Sequence, residues 1–350
     1  MRILVMADSD LDGVGTAAMI KWYYNNCSAW YRPRAMVEVM FPTRSGFNGI
    51  FWSRDRVRRL SSGFDFVFIC DLGLDSSQAN QILAEELASK TIYIDHHPTT
   101  DVHQSQYKER YFMYAVEAEG GHCTAEIAYC LLVNSPAAQP DGPFFRLSTS
   151  KRTQFTQLHA FATLVTDLDL WYRKLPRSME LGDFVETAGP HRAFAELMKI
   201  LPDFEKNTPT MEKYLEQAET KKQNSKALGE ATLVQHDGYK MPFSTCFVDD
   251  YASWVGSELV DSVGLIAMMD VKGKTLHFRV GPRFVGTAWN KAKGTKPDSL
   301  DFAVPLGGGG HHQSAGVSEQ EALPIFKELS RRFGEVLLEE YNNDRDNGSG

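Results

Sequence analysis

The sequence has few of the features that cross-link a chain or place it in a membrane. Its 350 residues include five cysteines, and no two of them form a CxxC pair, which argues against a disulfide framework and a structural zinc site. No run approaches the roughly 20 apolar residues that span a bilayer. The start, MRILVMADSD, turns acidic too early to resemble a signal peptide. These absences predict a cytoplasmic globular protein with no membrane partner.

Positive charge is also scarce. The chain has 37 lysines and arginines against 45 aspartates and glutamates, which gives a formal net charge of −8. Proteins that coat long duplex nucleic acid are usually basic on at least one face, so an extended duplex is not the expected partner. Metal-binding carboxylates add to the same acid count, and a bound cation reverses their local field.

The N-terminal half alternates short apolar runs with helical patterns. Arg2–Ala7, Phe64–Cys70 and Thr91–Ile94 are typical of buried strands, and Gly13–Tyr24 and Gln78–Ala88 are typical of helices. Strands that alternate with helices predict a parallel sheet. Ligands of such sheets bind at the carboxyl ends of the strands, so the residues that follow each strand are the first candidates for a site.

The rest of the chain predicts a helical middle and a second α/β domain. Residues 173–235 are rich in charge and helix formers, and the texture changes from about Pro242. Predicted helices are Gly121–Leu132, Thr153–Thr166, Ser253–Val260 and Ala322–Tyr341, and predicted strands are Thr245–Val248, Gly264–Asp270 and Lys274–Val280.

Acidic and histidine residues follow all three N-terminal strands. Asp8, Asp10 and Asp12 follow the first, Asp71 follows the second, and Asp95-His96-His97 ends the third. Alternate carboxylates in a loop can converge on a hard cation, and an Asp-His-His triplet suits a mixed nitrogen and oxygen site. One histidine can bind a metal while its neighbour donates to substrate, and Asp95 could orient His96. The pattern predicts a metal site at this edge of the sheet.

Two further observations bear on the ligand set. The Asp8–Gly13 loop has the spacing of an EF-hand, but the twelfth position is Met19 instead of Glu and a strand precedes it, so an EF-hand is excluded. After the helix that ends near Thr166, Asp167 could supply one more carboxylate, with Asp169 as a close competitor.

A glycine-rich run, LGGGGHHQSAG, occupies residues 306–316. Successive glycines let backbone amides approach an anion closely, and a histidine adds a donor that can carry charge. The run matches neither the Walker A nor the GxGxxG pattern, which disfavours a nucleoside triphosphate site of those kinds.

Taken together, these motifs resemble the DHH superfamily of phosphoesterases. The resemblance includes the C-terminal GGGHxxAAG-like motif of its nucleotide-acting branch, here with Ser314 in place of an alanine, and a small-residue helix start at Cys123–Ile127. Many relatives have a histidine where this chain has Met6, and the Asp-x-Asp-x-Asp-Gly version resembles RecJ-type exonucleases. Whether Asp8 binds a metal directly therefore stays open. In size, the chain is nearer to nano-RNase (oligoribonuclease) members.

The resemblance implies two divalent ions, manganese first, with magnesium, iron or cobalt as alternatives. The implied metal ligands are Asp8, Asp10, Asp12, Asp71, His96 and Asp167. Asp71 would bridge the ions, and His97 with Asp95 would serve the reacting phosphate. Arg279, Gly308, Gly309, Gly310 and His311 would bind substrate in the second domain, ahead of Arg44 and Arg283.

The implied activity is hydrolysis of short RNA or DNA oligonucleotides or linear dinucleotides. Cyclic dinucleotides are an alternative within the same chemistry, and an inactive nucleotide sensor is an alternative of another class. Pyrophosphate hydrolysis and alanyl-tRNA editing are disfavoured. The expected fold is α/β: a parallel-sheet catalytic domain over 1–190, a helical connector over 191–240, a smaller α/β substrate-binding domain over 241–342, and a disordered tail over 343–350. Homodimerisation stays open.

Overall fold

The computed structural model describes two compact units, Met1–Glu216 and Gln217–Gly350. The predicted boundaries at 190, 240 and 342 stay predictions. The described residues are 1–26, 35–42, 54–73, 86–97, 111–116, 121–134, 149–236, 243–272, 275–281, 299, 303, 309–311 and 314–317.

The first unit is built on a sheet of five parallel strands. Their spatial order is β2-β1-β3-β4-β5. The strands are β1 Arg2–Ala7, β2 Met36–Met40, β3 Phe66–Cys70, β4 Thr91–Asp95 and β5 Met113–Val116. The central strands β1, β3 and β4 are almost fully buried, as expected of strands whose two faces are both covered.

Side chains of β1 alternate between two cores. Ile3, Val5 and Ala7 join a large cluster on one face of the sheet, and Leu4 and Met6 join a smaller cluster on the other. This alternation follows the two-residue period of a strand. It explains why the run is apolar at successive positions.

The helices of the first unit come between and after these strands. They are α1 Leu11–Asn26, α2 Arg54–Gly63, α3 Thr124–Asn134, α4 Thr149–Asp169, α5 Pro176–Ala188, α6 Pro190–Ile200 and the start of α7 Pro209–Ala231, with a 3-10 turn at Ala88–Lys90. Helix α1 is buried nearly all round. The side chains of Phe161 and Val165 on α4 lie so close to Gly15 that a Cβ there would be 3.2–3.3 Å from them.

The strand order fixes where a ligand site belongs. In a parallel sheet of order 2-1-3-4-5, the direction of crossover reverses between β1 and β3, and a crevice opens at the carboxyl ends there. Ala7 is level with Cys70, and Cys70 is level with Ile94. Asp8, Asp71 and Asp95 are therefore the next residues on three adjacent strands.

The second unit contains a six-stranded sheet of order β10-β11-β9-β8-β7-β6. All neighbouring strands are antiparallel except β7 and β8, which are parallel. The elements are β6 Val234–His236, β7 Phe243–Val248, α8 Ala252–Val263, β8 Leu265–Asp270, β9 Thr275–Val280, β10 Gly309–His311 and β11 Ser314–Val317. Helix α8 is the crossover that a parallel pair requires.

The predicted α/β class is confirmed, and the predicted strands and helices that fall on described residues are present to within a few residues at each end. Sequence reasoning missed β2 and β5, the two outer strands of the first sheet. The predicted helix Ala322–Tyr341, most of Gln78–Ala88 and the predicted disordered tail lie outside the described residues. Among the described helices, none is long and apolar enough to cross a bilayer.

Candidate metal centre

Three overlapping groups of side chains bring their ligand atoms within 4.8 Å of one another at the carboxyl edge of the first sheet. The groups are Asp71 with His96 and His97, Asp12 with His96 and Asp169, and Asp8 with Asp10 and Asp71. Because Asp71 and His96 each belong to two groups, the three form one continuous cluster.

The Asp-x-Asp-x-Asp-Gly motif is built by the turn from β1 into α1. The Asp10 side chain accepts a hydrogen bond from the Gly13 amide at 3.0 Å, which is the N-cap arrangement. A Cβ at Gly13 would lie 2.3 Å from the Asp8 carbonyl oxygen, so this turn requires glycine. The Asp8 carboxylate accepts the Ser9 amide at 2.6 Å. The motif thus determines the conformation of the turn and also supplies the carboxylates.

Asp12 ties the cluster to a second helix. Its two carboxylate oxygens accept the amides of Thr124 and Ala125, each at 2.7 Å. These amides belong to the first turn of α3, where backbone donors lack partners within the helix and the helix dipole favours a negative charge. Asp12 is 1% exposed, so its charge is held by the N-terminus of α3.

Asp71 has the most distinctive environment in the cluster. Its φ of 58° lies in the left-handed region, and its Oδ1 accepts the Thr124 hydroxyl at 3.2 Å. Its Oδ2 is buried and has no hydrogen-bond partner among the described residues. Burial is the largest cause that raises the pKa of Asp71 well above its usual range, followed by the charges of Asp12, Asp10, Asp169 and Asp8.

The Asp-His-His triplet divides its roles between its members. Asp95 Oδ1 lies 2.8 Å from His97 Nδ1 and accepts the His96 amide at 2.9 Å. The Tyr93 hydroxyl lies 3.0 Å from Asp95 Oδ2 and 2.9 Å from the Leu72 carbonyl. The structure therefore places the Asp95 carboxylate on the ring of His97, whereas the sequence predicted that it orients His96. A proton on His97 Nδ1 leaves Nε2 for other partners.

His96 points its Nε2 at three carboxylates. The distances are 3.2 Å to Asp169 Oδ2 and 3.5 Å to both Asp12 Oδ2 and Asp71 Oδ1. Burial lowers the pKa of His96, against the opposing charge of Asp12. A neutral imidazole is the form that binds metals.

The structure brings Asp169, and not Asp167, to this nitrogen. The Asp167 carboxylate accepts the amides of Lys174 at 2.9 Å and Leu175 at 3.0 Å, and the Ser178 hydroxyl at 2.6 Å. These partners precede and begin α5, so Asp167 fixes the connection between α4 and α5. Sequence reasoning placed Asp167 in the ligand set and kept Asp169 as its competitor, because both lie within one turn of the same helix.

The donor set fits a divalent cation. Carboxylate oxygens and a neutral imidazole nitrogen converge, which suits manganese, iron or zinc. Four buried or half-buried carboxylates repel one another, and Asp71 Oδ2 gains no compensating hydrogen bond from the described residues. A cation at this point would supply the missing partner and lower the repulsion.

The predicted substrate residues lie in the second unit. Arg279 on β9 is 2% exposed and donates to the Ser253 carbonyl at 2.9 Å. Gly309, Gly310 and His311 form β10, paired antiparallel with β11, so this part of the glycine run is a strand. Gly308, Arg44 and Arg283 lie outside the described residues.

Sequence reasoning did not assign a role to two residues of the site. Thr124 binds both Asp12 and Asp71, and Tyr93 holds Asp95. Thr124 belongs to the small-residue segment Cys123–Ile127, whose resemblance to the family was the available signal. The sequence carried no such signal for Tyr93, because an aromatic residue at this position is typical of any buried strand.

One family of known proteins matches most of the first unit. The family described as "DHH family, N-terminal domain" matches residues 2–159, and no curated protein matches. A solved DHH domain from a member of a family of ribosomal proteins aligns with a TM-score of 0.59 and 13% identity, over 96% of this chain and 86% of that one. This likeness supports the fold.

Two further solved structures are more distant. The pGpG-specific phosphodiesterase PggH from Vibrio cholerae has a TM-score of 0.47 and 10% identity, over 95% of this chain and 99% of that one. RecJ from Thermus thermophilus, solved with Mg²⁺, has a TM-score of 0.43 and 14% identity, over 95% of this chain and 50% of that one. The family match covers every strand end that carries the cluster, so residues 2–159 are similar to the N-terminal domain of the DHH family.

Proposed function

We propose that this chain hydrolyses phosphodiester bonds of short oligonucleotides or linear dinucleotides to mononucleotides, with two divalent ions, manganese first. The observation that carries the proposal is the position of Asp71. Its carboxylate is shared by the group with Asp8 and Asp10 and by the group with His96 and His97, and one of its buried oxygens has no partner among the described residues. A carboxylate in that position suits the role of a bridge between two cations.

The ligand sets follow from the distances. Asp8, Asp10 and Asp71 would hold one ion, and Asp12, His96 and Asp169 would hold the other, with Asp71 shared. Ions held there supply Lewis acidity toward phosphoryl oxygens and make water a stronger nucleophile at neutral pH. Asp169 replaces Asp167 among the proposed ligands, because the Asp169 carboxylate lies 3.2 Å from His96 Nε2.

His97 is the residue that serves the reacting phosphate. Its ring is held at Nδ1 by Asp95 at 2.8 Å, and Asp95 is held in turn by the Tyr93 hydroxyl. This chain of contacts fixes the ring orientation. Nε2 can then form a hydrogen bond to a phosphate oxygen or hold a proton for the leaving alcohol.

The test is turnover of a substrate panel with manganese, with and without EDTA. The panel contains linear pApA and pGpG, a short RNA, a long single-stranded DNA, cyclic dinucleotides and pyrophosphate. We expect mononucleotide release from the short linear substrates that EDTA abolishes. Preference for a cyclic dinucleotide would make cyclic dinucleotides the substrate class. Tight nucleotide binding without turnover would indicate an inactive sensor instead of an enzyme.

Two variants sharpen the test. Asp169→Asn removes a carboxylate from the cluster, whereas the matched Asp167→Asn removes one whose partners are the Lys174 and Leu175 amides outside the cluster. We expect a large loss of turnover and of manganese affinity in the first, and manganese affinity close to the wild type in the second. An Asp169→Asn enzyme with wild-type turnover would refute the ligand set.

A further inference from the structure

The four residues Trp171, Tyr172, Arg173 and Lys174 form a short loop directly after α4, which we name the aromatic–basic loop. The Tyr172 side chain is 48% exposed, and Lys174 is also exposed. The ligand set and the family motifs leave all four residues without a role. The loop has two aromatic side chains and two cationic side chains in four consecutive residues. Aromatic side chains stack on the bases of single-stranded nucleic acid, and cationic side chains bind its phosphates.

The backbone of this loop is held in an unusual conformation. Trp171 has a φ of 63° and Arg173 a φ of 51°, a region that side chains other than glycine seldom adopt. Asp167 supports it, because its carbonyl accepts the Arg173 amide at 3.0 Å and its carboxylate accepts the Lys174 and Leu175 amides. Strained backbone of this kind persists where surrounding contacts fix it. Asp167 is thus the anchor of the loop.

The loop lies at the rim of the metal centre. Asp169, whose Oδ2 is 3.2 Å from His96 Nε2, precedes Tyr172 by three residues, a chain distance of at most about 11 Å. The Tyr172 hydroxyl lies 3.9 Å from where a Cβ of Gly121 would stand. Gly121 comes three residues before Thr124, which binds Asp12 and Asp71. The short chain connection to Asp169 and the contact near the start of α3 therefore place the loop close to the cluster.

The cations of the loop are arranged along its rings. The Arg173 guanidinium carbon lies 3.5 Å from the centre of the Trp171 ring, and the Lys174 ammonium lies 5.3 Å from that of Tyr172. These are cation–π contacts, and they order both cations beside a cluster that is otherwise acidic. A phosphate that approaches the cluster past this loop would therefore meet positive charge.

We propose that the aromatic–basic loop binds the nucleoside adjacent to the scissile phosphate, with its base stacked on Tyr172 and its phosphate contacted by Lys174. This inference rests on the proposed function, since it assigns the base-binding element of the same site. Such a loop would favour a nucleotide over a small phosphate compound such as pyrophosphate, because only a nucleotide has a base to stack.

The test compares a dinucleotide with an analogue that has ribose without a base at one end. Both carry a phosphorothioate linkage that resists hydrolysis and a fluorescent 2-aminopurine at the other end, and binding is measured by fluorescence in manganese. The position of the baseless ribose is varied over both ends. The variants are Tyr172→Ala, Tyr172→Phe and Lys174→Gln. Phe112→Ala is the matched control, because Phe112 is 39% exposed and lies at the amino end of β5, the opposite edge of the sheet.

We expect Tyr172→Ala to weaken dinucleotide binding by about 5- to 150-fold, the range for one base stacked on an aromatic ring. Binding of one of the two baseless analogues should not change. Tyr172→Phe and Phe112→Ala should bind like the wild type. Lys174→Gln should weaken the dinucleotide and the baseless analogues by the same factor, and salt should reduce the difference.

The inference is overturned if Tyr172→Ala weakens the dinucleotide and both analogues equally, or weakens none of them, or if the wild type binds no dinucleotide. Its failure is separable from that of the proposed function. Tyr172-dependent binding of a dinucleotide that is never cleaved with an ordinary phosphate linkage would refute hydrolysis and support the loop. Cleavage of that dinucleotide without any dependence on Tyr172 would support hydrolysis and refute the role of the loop.

Discussion

Replacement of Asp71 by asparagine should change the stability of the protein in opposite directions with and without metal. In the wild type without metal, Asp71 is a buried carboxylate whose Oδ2 has no partner among the described residues. Asparagine has the same shape, tolerates the left-handed φ of 58°, and keeps an oxygen for the Thr124 hydroxyl. It removes the charge that Asp12, Asp10, Asp169 and Asp8 repel. We therefore expect the metal-free variant to be the more stable protein.

The size of the effect follows from the charge on the unpartnered oxygen, which asparagine replaces by a neutral NH₂ that can donate to a neighbouring carboxylate. A buried polar atom without a hydrogen bond costs about 1–3 kcal/mol, and more if it is charged. For a unit of this size, about 1 kcal/mol moves the melting temperature by roughly 2–4 °C, so the variant should melt about 2–12 °C above the wild type in EDTA. With manganese at 100 times its dissociation constant, the wild type should gain about 2.7 kcal/mol, and the variant should gain much less.

The dependence on pH has a definite sign. Burial and neighbouring carboxylates raise the pKa of Asp71 in the folded protein, so between its ordinary pKa and the raised one the folded state binds more protons than the unfolded state. The contribution of Asp71 to stability is therefore full below its ordinary pKa and is lost as pH rises through the raised pKa. The metal-free wild type should lose stability across that window, and Asp71→Asn should not show this loss.

Thermal unfolding of both proteins, in EDTA and in manganese, at several pH values, checks these expectations. The reasoning is refuted if Asp71→Asn melts below the wild type in EDTA, because the carboxylate would then stabilise the metal-free fold. If manganese raised the melting temperature of both proteins equally, the role of Asp71 as a metal ligand would be refuted.

The remaining predictions concern four further residues, two near the end of α4 and two in the turn from β1 into α1. In calorimetric titration with manganese, Asp169→Asn should bind metal at least about tenfold more weakly while its melting temperature in EDTA does not fall. Asp167→Ala, which leaves the Lys174 and Leu175 amides without their carboxylate partner, should be destabilised by about 1–3 kcal/mol and keep the metal affinity. Gly13→Ala should disrupt the turn, since a Cβ would lie 2.3 Å from the Asp8 carbonyl oxygen, and circular dichroism melting should show a loss of about 1–3 kcal/mol. Asp12→Asn should lower the melting temperature in EDTA, because one of its two amide bonds to α3 would face an NH₂ group; an unchanged value would contradict the role of Asp12 as the cap of α3.

The sequence predicted the part of the site that strand ends determine. Asp8, Asp71 and Asp95 each follow an apolar strand, and the ends of adjacent parallel strands must meet at one edge. The apolar pattern of the strands and their order along the chain were enough to place these three residues at that edge. The outer strands β2 and β5 were missed because β2 alternates polar and apolar residues and β5 has only four residues, so neither gives a continuous apolar run.

The choice between Asp167 and Asp169 depends on information that spacing does not contain. Two residues apart on a helix, their side chains are about 200° apart around its axis, so only one can face His96. Which one does so is decided by how α4 is rotated against α1, through contacts such as Gly15 with Phe161 and Val165. Tertiary packing of this kind cannot be read from the local pattern of the segment.

The acids of the cluster are thus chemically alike and physically different. Asp12 has both oxygens on backbone amides of α3, and Asp10 caps α1, so these two carboxylates fix helices before any cation binds. Asp71 has one hydroxyl partner and one buried oxygen without any among the described residues. The first two build the edge of the sheet at little electrostatic cost, because the N-termini of helices offset their charge. The third concentrates the repulsion of the whole cluster on one carboxylate, and a divalent cation is the partner that would relieve it.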